Sequence, residues 1–311
     1  MNETLISNII SNGDTLPFAV ELVSKTNWYQ FGISVFLSLL GSIFIFIILW
    51  GSIKEGIGSS KTKCSLKKII KKSKKNILLI KHTRSGMFSQ SMIDDSSLKE
   101  IQKALLEFEG KPFDLVFHTP GGSIFHTLLI SRILKNYPGK IRAFVPSYAM
   151  SGGTILALSC DEINMNDISC LGPVDPQLGT IFKAGSAKTW KEIFKIKGKK
   201  AEDSSIAMNL TGEQYTKTIK KILEKLINGN IKNKKEFIKL LTSGDIEHGY
   251  QLFREDLKKF GFNVKKIEND LNLMLLKVVS SESYEGVKYL VYKEGNFFNR
   301  FIKKLKGRTK K

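Results

Sequence analysis

The chain has 311 residues, 42% of them hydrophobic, with 49 Lys+Arg against 29 Asp+Glu and a formal net charge of +20. With only 7 prolines this composition excludes wholesale disorder and allows one domain plus an appendage. The basic excess suits nucleic acid or an anionic membrane surface; the cysteines (Cys64, Cys160, Cys170) and scattered histidines (82, 118, 126, 248) suggest neither a disulfide framework nor a zinc site.

From the N-terminus, residues 31–53 form a run of 23 residues without a charge, about the length that a helix needs to cross a bilayer core. Trp28, Tyr29 and Trp50 flank it, as interfacial aromatics do. A cleaved signal peptide would carry basic residues before the apolar run, whereas here Glu3, Asp14 and Glu21 face Lys25. Nine lysines and one acid, Glu55, follow between 54 and 75. The positive-inside rule therefore puts residues 1–30 outside the cell and the long C-terminal part in the cytoplasm. The polybasic linker 54–75 is expected to lie against anionic lipid, at about 1 kcal/mol per lysine near the surface. Membrane lipid thus accounts for part of the charge without nucleic acid.

Strands and helices alternate beyond the linker. Residues 76–82 read as a buried strand, and 95–109 repeat apolar positions at a helical period. Residues 114–118 are a strand stopped by Thr119-Pro-Gly-Gly122, and 123–136 a helix ended by Pro138-Gly139. Residues 141–145 form a strand, 152–160 a helix and 162–166 a short strand. This order implies an α/β fold with a mostly parallel sheet and right-handed crossovers. Helices are expected over 211–228 and 232–241, an α/β stretch over 249–264, and a basic tail over 301–311.

The candidate chemistry lies on two glycine turns. Gly121-Gly122 joins a strand to a helix, where backbone amides can face developing negative charge. Ala149-Met150-Ser151-Gly152-Gly153 does the same one unit later. Ser151 there feels the positive end of a helix dipole, although a serine at that position is also a natural N-cap. In adjacent parallel strands both turns fall at one carboxyl edge of the sheet.

The stretches 114–122, 144–154 (Phe-Val-Pro-Ser-Tyr-Ala-Met-Ser-Gly-Gly-Thr) and 171–179 (Leu-Gly-Pro-Val-Asp-Pro-Gln-Leu-Gly) closely resemble the serine dehydrogenase proteinase family, with 242–250 and 260–264 resembling its closing segment. That family is a relative of signal peptide peptidase A in the Clp protease/crotonase superfamily. The resemblance covers about 76–265 and implies a spiral α/β fold, oligomerisation into homo-oligomers and hydrolysis of peptide bonds, with Ser151 as nucleophile and the Gly122 and Gly152 amides as oxyanion donors. It places no cofactor in the site. The base remains open: no histidine occurs between 151 and 247, and relatives with a Ser-Lys dyad carry the lysine roughly fifty residues after the serine. Lys200 and Lys199 are the candidates, with His248 behind them. The domain expected is 76–270, followed by a C-terminal extension over 271–311. The substrates implied are membrane-derived or signal peptides. Two rivals are an inactive membrane scaffold of the same fold and a crotonase-type enzyme acting on acyl-coenzyme A.

Overall fold

The computed structural model describes residues 17–85, 89–179, 183–227, 231–281 and 285–293. The first half of the expected outer segment, residue 228 and the basic tail 301–311 lie outside the described residues. The chain divides into two compact units, 1–57 and 58–311, and helix α1 (Pro17–Ser73) contributes to both.

In the first unit, Tyr29–Ile47 is a stretch of 19 residues with mean hydropathy 2.1 and none of it buried. Among the described residues it is the one helical segment long and apolar enough to cross a membrane. Its hydroxyls turn inward on the helix itself: Ser34 donates to the Phe31 carbonyl (2.8 Å) and Ser42 to the Ser38 carbonyl (2.9 Å). A helix in hydrocarbon must satisfy its polar groups in this way.

The second unit is built on a six-stranded sheet. Its strands are β1 (Asn76–Lys81), β2 (Phe113–His118), β3 (Ile141–Val145), β4 (Glu162–Met165), β5 (Val264–Lys266) and β6 (Gly286–Leu290), in the order β5-β4-β3-β2-β1-β6. The first five are parallel and β6 runs antiparallel beside β1. Every residue of β1 is buried because both faces of the sheet are covered. Leu78 and Ile80 face one cluster with Ile101 and Phe108 of α2 (Asp95–Phe108) and Ile130 of α3 (Ile124–Lys135). Ile77 and Leu79 face the other, with Leu66, Ile69 and Ile70 of α1. The latter part of the expected linker 54–75 is therefore packed into this unit through its apolar residues, while Lys67, Lys68, Lys71, Lys72 and Lys74 stay exposed and Lys75 is half-buried.

The expected elements between 76 and 166 appear within two residues of their expected ends. The sheet draws its sixth strand from the segment expected to be a C-terminal extension. The described residues beyond 180 are mainly helical, as read: α5 (Ala187–Lys197), α6 (Asp203–Leu226) and α7 (Lys234–Thr242). Between 249 and 266 lie a short strand (Leu252–Phe253), α8 (Arg254–Lys259) and β5. Then α9 (Asn269–Val279) packs Leu275, Val278 and Val279 against the α1 side of the sheet.

A second, smaller sheet sets the site. Tyr148–Ala149 follows β3, pairs in parallel with Cys170–Leu171, and Leu252–Phe253 pairs antiparallel on the far side of the latter. The helix that follows Tyr148–Ala149, α4 (Gly152–Leu158), is buried along its whole length.

Candidate active site

Ser151 stands between the short strand Tyr148–Ala149 and α4 with φ 50° and ψ −118°. A residue with a Cβ is strained there, at a cost of about 1–3 kcal/mol. The surrounding bonds hold it. The Met150 amide donates to the Thr119 carbonyl (2.9 Å), and the Gly153 amide to the Met150 carbonyl (2.8 Å). The Thr154 hydroxyl sits between the Ala149 and Gly172 carbonyls (2.8 and 2.9 Å) and accepts the Gly172 amide (3.0 Å). Although Ser151 occupies the N-cap position, its side chain makes no capping bond. Ser151 lines a cavity of about 290 Å³. This sharp strand-to-helix turn is the geometry that exposes a nucleophilic oxygen.

The first glycine turn closes against it. Gly121 has φ 110°, and a Cβ there would lie 2.8 Å from the Ser151 Cβ and 2.9 Å from the Gly152 amide nitrogen. A Cβ on Gly122 would lie 2.4 Å from the Ile93 nitrogen and oxygen. Glycine is required at both positions by close approach. The Ile93 amide donates to the Gly121 carbonyl (2.9 Å), and Ser123 donates to the Ile93 carbonyl (2.8 Å). This bridge fixes the Gly121–Gly122 peptide plane and leaves the Gly122 N–H out of the pairing. Gly152, as the first helical residue, likewise has no intrahelical acceptor for its N–H. Gly121, Gly122, Ser151 and Gly152 all line the one cavity.

A buried polar chain supports this turn from below. The Thr119 hydroxyl accepts the Gly121 amide (3.1 Å) and meets His82 Nδ1 at 3.0 Å. The other ring nitrogen of His82 approaches the Ser97 hydroxyl (3.5 Å), which donates to Asp94 (3.0 Å). Burial lowers the pKa of His82 to about 4, against the raising influence of Asp94, so the ring is neutral at physiological pH. Neutral His82 with its proton on Nε2 gives every bond of the chain a donor and an acceptor. His118 is also held at about 4, by burial first and then by the charges of Lys81 and His82.

The opposite wall brings an acid and a base. His248 Nδ1 lies 2.7 Å from Asp175 Oδ1, and Gln177 donates to the other carboxylate oxygen at 2.7 Å. Asp175 is 3% exposed and His248 about one third exposed. With Nδ1–H donating to the carboxylate, His248 Nε2 is left as an acceptor. Asp175, Gln177 and His248 line the same cavity as Ser151.

Lys199 and Lys200, the lysines expected as bases, lie elsewhere. They form a single 3-10 turn after α5, both are exposed, and neither lines the cavity. A helix end facing solvent lacks the burial that a neutral lysine requires. Thr119, Asp175 and Gln177 carry no role in the sequence reading, although all three stand inside the stretches that resemble a known family.

Solved structures with similarity include the membrane-bound stomatin-specific protease 1510-N, at TM-score 0.43 and 15% identity over 66% of this chain and 89% of that one. Another is ClpP1 from Listeria monocytogenes, at TM-score 0.41 and 14% identity over 62% of this chain and 91% of that one. Two uncharacterized proteins of Methanocaldococcus jannaschii are each 35% identical over 55% of this chain. The match spans 59% and 58% of those relatives' own lengths. The family profile described as ClpP-like SDH-type serine proteinase matches residues 29–294. With its parallel sheet and its serine on a strand-to-helix turn, the chain belongs to the ClpP-like SDH-type serine proteinase family.

Proposed function

We propose that the chain is a membrane-anchored serine peptidase in which Ser151 is the nucleophile, His248 the general base, and Asp175 the group that orients it. One observation carries this reading: an uncapped serine hydroxyl on a strained turn shares a cavity with a buried carboxylate–histidine pair. In the reaction, His248 Nε2 takes the proton of the Ser151 hydroxyl as its oxygen attacks the scissile carbonyl carbon. The Gly122 and Gly152 N–H groups face the resulting oxyanion. His248 returns the proton to the leaving amine as the peptide bond breaks. Water, deprotonated in turn by His248, then releases the acyl group from Ser151. Ile124, Ile155, Val174 and Ile219 on the cavity wall favour an apolar residue at the point of cleavage, consistent with membrane-derived or signal peptides as substrates.

The anchor is residues 31–53, and the lysines of 54–75 hold the peptidase on the cytoplasmic side, where it forms homo-oligomers. The apolar run and its basic flank support this orientation. Resistance to carbonate extraction, and sparing of the C-terminal part when protease is added outside intact cells, are the expected results.

A serine-reactive fluorophosphonate tests the chemistry. Labelling is expected for the parent chain, absent from Ser151→Ala, and strongly slowed in His248→Ala. Full labelling of His248→Ala together with loss in Lys199→Ala or Lys200→Ala moves the base to lysine. Labelling that survives Ser151→Ala overturns the peptidase reading.

A further inference from the structure

Beside the catalytic cavity lies a second one of about 570 Å³, walled by α5, α6 and the end of α7. The two meet at Asp175, which lines both. They also share a wall of α6, where Ile219 faces the catalytic cavity and the next residue, Lys220, faces the second. The second cavity carries five lysines: 188, 191, 217, 220 and 239.

Its acids do not balance them. Lys188 pairs with Asp245 (2.8 Å) and Lys191 with Glu213 (2.9 Å). Lys239 shares the field of that same Asp245, whose carboxyl it helps to hold below the ordinary value. Asp175 already accepts from His248 and Gln177. Among the described residues, Lys217 and Lys220 form no ion pair with any carboxylate, although they lie one turn apart on the same side of α6. A peptide chain that leaves the apolar catalytic cavity past Asp175 therefore enters a groove of unanswered positive charge.

We propose that this groove is a specificity site for a substrate carboxylate, supplied by an Asp or Glu side chain or by the peptide's own C-terminus. The proposal rests on the peptidase reading and adds a substrate class to it: peptides with an apolar residue at the cleaved bond and a carboxylate a few residues away. Charge complementarity of this kind selects partners more than it adds raw affinity, and at 0.15 M salt it acts within about 8 Å.

The experiment uses full-length protein in detergent and reporter peptides with one common apolar core. The flanks carry Glu or Gln, and the C-terminus is free or amidated. Cleavage of the amidated Glu peptide is expected to exceed that of the amidated Gln peptide by about fivefold in kcat/KM, the order of a pair of surface ion pairs, with the preference lost at high salt. The double variant Lys217→Glu/Lys220→Glu is expected to reverse the ranking while still cleaving the amidated Gln peptide. Preference for a free C-terminus over both amidated peptides assigns the carboxylate to the chain end. Equal cleavage of all peptides, or an equal fall for all in the double variant, overturns the proposal. Binding of the same labelled peptides to Ser151→Ala reads the groove without turnover. If the parent cleaves nothing while Ser151→Ala still binds the carboxylate peptides about fivefold tighter, the groove stands and the peptidase reading falls. Equal binding removes the groove.

Discussion

Asp175 and His248 are 73 residues apart in the chain and 2.7 Å apart in space, and each lies four residues from a short strand of one antiparallel pair. Leu171 pairs with Leu252 in the small antiparallel ladder. Asp175 lies four residues beyond the first and His248 four residues before the second, in the segments that leave this ladder. His248 thus reaches the Ser151 cavity from a turn beside this ladder rather than from a helix.

A first prediction concerns the nucleophile and base as a unit. Ser151→Ala and His248→Ala are each expected to lower kcat by several orders of magnitude, and the double variant to be no worse than either. Lys199→Ala and Lys200→Ala are expected to keep parental turnover, because both side chains are exposed and off the cavity. Steady-state kinetics on a peptide reporter decides it.

Asp175→Asn keeps the size of the side chain but puts an amide against His248. The ring then has no carboxylate to fix Nδ1–H, and kcat is expected to fall by roughly 10²- to 10⁴-fold with KM little changed. A retained thermal midpoint separates this outcome from unfolding.

At Gly121 a single added methyl group collides with the Ser151 Cβ and with the Gly152 amide. Gly121→Ala is expected to destabilise the protein by about 1–3 kcal/mol, from strain at positive φ alone, and to abolish fluorophosphonate labelling. Thermal unfolding and labelling on one preparation check both halves.

Thr119→Val removes the oxygen that accepts the Gly121 amide and meets His82. Leaving buried polar groups unpaired costs about 1–3 kcal/mol, and the loosened turn is expected to lower kcat more than it raises KM. Thr119→Ser restores the hydroxyl and is expected to recover most of the loss, which a packing role for the Thr119 methyl group would not allow.

Acid stability follows from His82 and His118, whose folded pKa values of about 4 lie below the ordinary 6.5. The unfolded chain binds these protons first, so both groups contribute stability above pH 6.5 that is lost as pH falls toward 4. For fully buried His82 alone the loss reaches about 3 kcal/mol. Chemical denaturation at pH 7, 5.5 and 4.5 is expected to show the decline, and His82→Asn to flatten it.

How much of this was legible in sequence depended on how local each signal was. The turns at Gly121-Gly122 and at Ser151 are written in neighbouring residues, because a positive φ or a close backbone approach restricts the residue type at that spot. The strands of the parallel sheet are legible for the same reason, as short continuous apolar runs between turns. The Asp175–His248 pair is not, since it depends on the register of two-residue strands that begin 82 positions apart. A rule of spacing from Ser151 points to Lys199 and Lys200 instead, on a turn whose exposure depends on the packing of α5. Strand β6 was missed because a five-residue segment with Lys288 at its centre gives little periodic signal.

The pairing of β6 with β1 bears on the order in which the protein is made. Of the strands in this sheet β1 leaves the ribosome before the others, and β2 covers one of its edges within about 40 residues. The other edge waits for residues 286–290, some 200 positions later. Until then a six-residue strand with four apolar residues at its centre presents open hydrogen-bonding groups, the kind of edge that invites pairing with another chain. The pairing of residues 286–290 therefore seals the last open edge of β1 against neighbouring chains.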